Sequence, residues 1–340
     1  MMRHSIKFIP LTYIFLLVSL LTGCQGKNNG NDSYVKERGM IWNTVYHITY
    51  RGPESLRDSI LPVLDEVGKS LSVFDPASTV SKINDNTLLK ADSHFTKVFN
   101  VAKRIAKESD GAFDPTLSPL ITAWGFGKGH RATSDTLRID SMMQFVGFDK
   151  ININNGNVEK KDPRVSLNLS AIAKGYGCDA VAAMFRRNGV NDYMIEIGGE
   201  IVAGGKSPRT GKWNIGIEKP EFNESEVLPS IAVAEITGCG MATSGNYRNF
   251  HKENGNRFGH TISPATGRPV QTDILSVTIL APTCTEADGF ATACMVMGSE
   301  KAKSMIERLR LPALMVLNDT TVWTSEAMRP LLGEEGKDIR

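Results

Sequence analysis

The sequence predicts an α+β fold, with antiparallel or mixed sheets flanked by helices. Three observations carry that reading. Runs of alternating apolar and polar residues, rich in β-branched and aromatic side chains, recur along the chain between short glycine-containing turns. Helical segments fall among them irregularly instead of after every strand, which argues against a doubly wound parallel sheet. From Tyr34 to Met328 no repeat of solenoid period and no low-complexity linker interrupts the alternation.

The elements follow in order. Residues 40–51 (MIWNTVYHITYR) alternate in polarity and read as a strand. Residues 55–70 carry leucine, isoleucine and valine at helical spacing, closed by Phe74-Asp75-Pro76. A second helix over 96–109 sets Val98, Val101, Ile105 and Ala106 on one face and stops at Gly111. Ser170 is the expected N-cap of a third helix, which ends at Asn188-Gly189, where glycine suits the left-handed residue past a helix end. Residues 193–197, 201–203, 213–218 and 231–237 read as strands, with Gly198-Gly199 and Gly204-Gly205 as joints. Helices over 285–298 and 299–309 then precede strands at 313–317 and 321–324.

Lysine and arginine (39) nearly balance aspartate and glutamate (37), and no long block of like charge occurs, which excludes a nucleic-acid-binding arm. Residues 1–23 read as a signal peptide: Arg3, His4 and Lys7 precede an apolar run over 11–21 that is too short to span a bilayer comfortably. The run ends in Leu21-Thr22-Gly23-Cys24, which resembles a bacterial lipobox with Cys24 as the acylated residue. Residues 24–33 are polar and suit a flexible tether, leaving 34–335 as the folded domain. The expected location is the cell envelope, on the inner membrane and facing the periplasm. Cys178, Cys239, Cys284 and Cys294 form no C-x-x-C pair and read as buried thiols.

Two glycine-rich segments are not nucleotide sites. Gly205-Lys206-Ser207 lacks the leading glycine of a P-loop and is followed by Pro208, and residues 125–129 (GFGKG) have the wrong spacing for a dinucleotide fingerprint. The strongest constellation is residues 285–292 (TEADGFAT). Asp288 and Thr292 lie one helical turn apart, and a carboxylate with a hydroxyl is a hard donor pair suited to Mg²⁺. Thr285 with Asp288 three residues on equally resembles a capping box.

A second candidate is the segment from Asn168 to Gly175. Its helix N-terminus offers free N–H groups to a pyrophosphate, and Lys174 adds a cation in the first turn, or is an ordinary surface lysine. Residues 241–246 (MATSGN), including Thr243, read as a loop that a phosphate could approach, or as a simple turn. His260 heads the turn His260-Thr261-Ile262-Ser263-Pro264 and is either a general base or a structural histidine. Phe113 and Asp114, in Gly111-Ala112-Phe113-Asp114-Pro115, line a pocket or simply stop the preceding helix.

Together and in this order, these blocks resemble the ApbE family, the FAD:protein FMN transferases. The resemblance runs from about Met40 to Arg329. It rests on Gly39-Met40, residues 71–76 and 78–84, 111–115, 168–176, 197–199, 241–247, 260–270 and 287–292, the last two blocks being the most specific. It implies two packed lobes around an FAD cleft, with FAD as substrate and Mg²⁺ as cofactor. Met40, Phe74, Ala112, Phe113, Asp114, Asn168, Lys174, Thr243 and Ile262 would bind FAD. The Ala171 carbonyl, Asp288 and Thr292 would hold Mg²⁺, which moves Asp288 from the capping reading to the metal reading. Asn168, Asn246 and Ser263 stand where the family commonly has aspartate.

The implied reaction attaches FMN through a phosphoester to a threonine of an acceptor protein and releases AMP, with His260 and Asp288 as the catalytic residues. The implied acceptors are flavoprotein subunits of envelope electron-transport complexes. Alternatives on the same scaffold are hydrolysis of FAD to FMN and AMP, or a non-catalytic FAD-binding lipoprotein.

Overall fold

The computed structural model describes residues 33–126, 136–209, 211–218, 220, 230–245, 250–253, 256–259 and 261–333. Cys24 with the expected leader and tether, His260 and Asn246 lie outside the described residues. In chain order the first half forms β1 (Tyr34–Ile41), β2 (Thr44–Arg51), α1 (Arg57–Leu71), α2 (Thr79–Asn84), α3 (Ser93–Glu108), α4 (Ser118–Ala123), α5 (Thr136–Met143), β3 (Ile151–Asn154) and β4 (Asn157–Lys160). The second half forms α6 (Ser170–Arg187), β5 (Tyr193–Ile197), β6 (Glu200–Gly204), β7 (Trp213–Glu218), β8 (Ser230–Ile236), β9 (Cys239–Gly245), β10 (Phe250–Glu253) and β11 (Asn256–Gly259). It closes with β12 (Ile274–Ala281), α7 (Cys284–Met297), α8 (Ser299–Leu309), β13 (Ala313–Leu317) and β14 (Val322–Thr324).

Eight strands form one sheet in the order β1-β2-β5-β6-β9-β12-β13-β14, and every neighbouring pair is antiparallel. The fold is therefore α+β, as the irregular spacing of helices predicts. Helices α1, α3, α6 and α7 cover one face, where Ile48, Tyr50, Leu64, Val181 and Phe185 form one core and Phe95, Ile105, Ile172 and Phe290 another. The β7–β8 ribbon covers the opposite face through Trp213, Ile215, Ile217, Ala234 and Ile236. Layers on both sides explain why all eight residues of β12 are buried, so that it lacks the alternation of a one-sided strand. A smaller core of Leu117, Leu120, Ile139, Val146 and Ile262 joins α4 and α5 to the turn after β11.

The expected single strand over 40–51 is instead a hairpin. Trp42 and Asn43 form its two-residue loop with φ of 47° and 62°, both in the left-handed region that such tight loops require. Asparagine accepts that conformation readily, whereas tryptophan does so only where packing compensates. Here the indole is slotted between two helices. A Cβ on Gly68 of α1 would stand 2.9 Å from its Nε1, and one on Gly177 of α6 would stand 2.5 Å from its Cη2.

Other boundaries shift for identifiable reasons. The Asp92 side chain accepts the Phe95 N–H at 2.8 Å and so starts α3 at Ser93. The N-cap of α6 is Leu169, without a side-chain bond, and Ser170 is already helical; its N–H is taken by Asn168 Oδ1 at 3.0 Å. Lys174 is consequently the fifth helical residue, past the first turn. Gly189 has φ +75°, as its place after α6 predicts. Cys178, Cys284 and Cys294 are buried and Cys239 half-buried, all four as free thiols.

Helices α6 and α7 meet backbone to backbone. A Cβ on Gly175 would lie 2.3 Å from the Cys284 carbonyl oxygen, and one on Gly240 of β9 would lie 2.2 Å from the Cys284 nitrogen. Neither obstacle is a flexible side-chain tip. Gly240→Ala is therefore expected to lower the unfolding free energy by about 1–3 kcal/mol, the range of overpacked cores. Gly52→Ala, whose nearest neighbour would be 3.5 Å away, should stay within about 0.5 kcal/mol. Urea denaturation of the two variants side by side measures the contrast.

Candidate active site

A cleft of about 970 Å³ opens where α6, α7 and β9 meet the β5–β6 turn and the segment after α3. It gathers residues that lie as far apart in the sequence as Phe74 and Val296. Phe74, Ala112, Phe113, Asp114, Asn168, Ala171, Lys174, Thr243, Ile262, Asp288 and Thr292 all line it. Met40 does not: it is 64% exposed on β1, paired with Val45 across the outer hairpin. That hairpin still borders the cleft, because the Val45 carbonyl accepts the N–H of the lining residue Gly198 at 3.0 Å.

The capping reading of Asp288 is excluded by the start of α7. Its N-cap is Thr283, whose Oγ1 accepts the Glu286 N–H at 3.2 Å. The neighbouring helix supplies a second cap: Asp179 of α6 accepts the N–H groups of Cys284 and Thr285, at 3.0 and 2.8 Å, and the Thr285 hydroxyl. Asp288 lies a turn further on, buried, with Oδ2 accepting the Gly175 N–H at 3.1 Å. In a regular helix that N–H serves the Ala171 carbonyl, so this carbonyl shares its donor with a carboxylate. Gly175 admits the contact because it has no Cβ, which would press on Asp288 Cβ at 3.0 Å.

Buried charge is concentrated here. Lys174 forms a close ion pair with Glu200, the first residue of β6, which is 3% exposed. Burial opposes the Lys174 ammonium, but Glu200 and Asp288 outweigh it and hold its pKa above the ordinary value. Burial pushes both Glu200 and Asp288 up, and Lys174 pulls each of them back. Glu200 Oε2 has no hydrogen-bond partner among the described residues. Two buried carboxylates thus face a single ammonium, which is in a close ion pair with Glu200 and acts on Asp288 through space.

The remaining walls are apolar or firmly braced. Phe113 and Ile262 are each 3% exposed, so both serve the core while presenting an edge to the cleft. Asp114 Oδ1 accepts both the backbone N–H and the hydroxyl of Thr116, at 2.8 and 2.6 Å, and burial raises its carboxyl above the usual range. Residues 241–245, expected as a loop, belong to the central strand β9, and the Thr243 and Thr278 hydroxyls are 2.8 Å apart across the ladder. Thr292 stands 3.5 Å from Ser244, oxygen to oxygen.

Glu196 and Glu200 went unnoticed in the sequence. Glu196 lines the cleft with one oxygen on the Gly199 N–H at 2.7 Å and the other on His47 Nδ1 at 2.6 Å. Paired glycines between two apolar strands, flanked by carboxylates on both sides, were the available signal.

The donors on the cleft suit a small hard cation. Among the described residues no group of three or more His, Cys, Asp or Glu forms a complete metal cage. The Asp288 carboxylate, the Thr292 hydroxyl and the Ala171 carbonyl are a sparse all-oxygen set. Such a set fits Mg²⁺, which keeps waters and phosphate oxygens in its shell.

The model of the ApbE family matches residues 42–315. A protein of Haemophilus influenzae named FAD:protein FMN transferase is 35% identical over 296 residues, covering 82% of this chain and 85% of its own length. A Vibrio cholerae protein of the same name is 33% identical, with 93% and 96% covered. The solved flavin transferase ApbE from Vibrio cholerae superposes with a TM-score of 0.79 at 31% identity, over 88% of this chain and 99% of that one. The apo flavinyl transferase ApbE of Pseudomonas stutzeri gives a TM-score of 0.79 at 29% identity, over 88% and 97%.

The division of labour on α7 can be tested by stability. Asp179→Ala leaves two buried N–H groups without their acceptor and should lower the unfolding free energy by about 1–3 kcal/mol. Asp288→Asn still accepts the Gly175 N–H and removes a desolvated charge, so it should not lower it. Equal losses in chemical denaturation would mean that Asp288 also supports the helix end.

Proposed function

The chain belongs to the ApbE family, and we propose that it acts as an FAD:protein FMN transferase with a threonine hydroxyl as acceptor. The observation that carries the reading is the convergence of Ala171, Lys174, Asp288 and Thr292 on one cleft whose other walls are the largely buried Phe113 and Ile262. Such a cleft offers a planar apolar ligand its walls and a diphosphate its charged end.

In this reading the acceptor oxygen forms a bond to the FMN-side phosphorus, the phosphoanhydride bond breaks, and AMP leaves with the bridging oxygen. Lys174 binds and orients the diphosphate. Phe113 and Ile262 exclude water from the phosphorus, and Asp114 braces the wall beside them. His260, which precedes the cleft residues Thr261 and Ile262, takes the proton released by the threonine hydroxyl. Asp288, Thr292 and the Ala171 carbonyl would hold Mg²⁺, which would supply charge neutralisation to the diphosphate.

We further propose that the protein works in the cell envelope, tethered through acylated Cys24. The acceptors are subunits of envelope electron-transport complexes.

Incubation with FAD, Mg²⁺ and envelope extract tests the activity directly: flavin fluorescence should persist on denatured acceptor bands. Free FMN with no labelled protein would instead show a hydrolase. His260→Ala should slow transfer by about 10²–10⁴-fold while FAD affinity by fluorescence titration stays near wild type. Loss of binding in step with activity would make His260 a binding residue. Cys24→Ala should move the folded protein from the membrane fraction to the soluble periplasmic fraction, and unchanged membrane association would overturn the tether.

A further inference from the structure

Lys174 stands between two buried carboxylates on different elements. Glu200, at the head of β6, holds the ammonium in a close ion pair, while Asp288 on α7 acts on it through space. Both carboxylates are nearly sealed, at 3% and 4% exposure. Asp288 has a backbone partner in the Gly175 N–H. Glu200 pairs with the lysine through Oε1, and its Oε2 has no hydrogen-bond partner among the described residues. The lysine stem is confined as well, because a Cβ on Gly198 would lie 3.4 Å from its Cδ. The Gly198-Gly199 turn that confines it is itself pinned by Glu196 through the Gly199 N–H.

This arrangement decides where one positive charge sits. An ammonium shared equally between the carboxylates would occupy the ground that a divalent cation needs at Asp288. With Glu200 as its close partner, the lysine leaves Asp288 without a cation of its own. We propose that Glu200 is a positioning residue: it holds Lys174 and its charge away from Asp288 and so keeps Asp288 open to a divalent cation. The inference rests on the metal reading of Asp288 given above.

Without the Glu200 charge, Asp288 is the remaining carboxylate acting strongly on Lys174 among the described residues. The released ammonium then competes with the metal as an internal ligand. If that ion pair is formed nine-tenths of the time, apparent metal affinity falls about tenfold.

Binding of Mn²⁺ alone, followed by electron paramagnetic resonance without FAD, measures this independently of catalysis. Wild type should bind and Asp288→Asn should bind far more weakly. Glu200→Gln, close in shape to the native residue, should weaken Mn²⁺ binding about tenfold. The double variant Glu200→Gln/Lys174→Met should recover to within about threefold of wild type, because the competing ammonium is gone. A merely structural role for Glu200 predicts no recovery, since the second substitution disturbs the same wall further. Unaltered binding in Glu200→Gln, or no recovery in the double variant, overturns the inference while leaving the metal reading in place. Undiminished binding in Asp288→Asn overturns the metal reading and this inference with it.

Discussion

The close approach of α6 and α7 is the constraint on which the site depends. Glycine at 175 and 240 lets the first residue of α7 sink between a helix and a strand until backbone meets backbone. Only at that separation can a carboxylate on α6, Asp179, cap the start of α7, and a carboxylate on α7, Asp288, reach a peptide N–H of α6. The exchange is reciprocal, and it fixes the helices in register as well as in distance. Lys174, Asp288 and Thr292 then fall on one cleft because each sits at a set number of turns from that contact.

Packing of this kind also sets the electrostatics. The two carboxylates are desolvated by the same helices and strand that position them, while the lysine side chain stays partly exposed to the cleft. A charge on either carboxylate is poorly reached by water, so it is compensated by the lysine, by a proton or by a ligand. The apolar layers on both faces of the sheet confine this polarity to the strand ends. Strand β12 illustrates the division, being buried along its whole length while its neighbour β9 offers Thr243 and Ser244 to the cleft.

Much of the architecture was legible in the sequence, and the failures have physical causes. Strands β5 and β7 match their expected limits, because alternation and glycine turns bound them sharply. Strand β9 was hidden, since small and hydroxyl residues (CGMATSG) look like a loop until both neighbours are known to be strands. The hairpin at Trp42-Asn43 was hidden because tryptophan is a poor local signal for a left-handed turn, and its compensation comes from helices distant in sequence. The capping box at Thr285 was a correct pattern two residues out of place, with Thr283 already serving as the cap. In the site, most resemblance-based positions line one cleft, whereas Met40 sits on the outer hairpin. Glu200 escaped notice because a lone glutamate after two glycines looks like a solvated turn. Its burial depends on a lysine from another helix, a partnership that no local pattern encodes.

The slot that receives Trp42 has a consequence for how the chain comes together. A strained two-residue loop has little reason to close by itself, and this one is held closed by an indole wedged between Gly68 and Gly177. The conformation of this loop therefore depends on two helices distant in sequence, although it joins adjacent strands. The same wedge makes three scattered positions a single unit of variation. A smaller residue at 42 leaves a hole between the helices, and a larger one at 68 or 177 expels the ring, so divergence at any of them requires an answering change at the others.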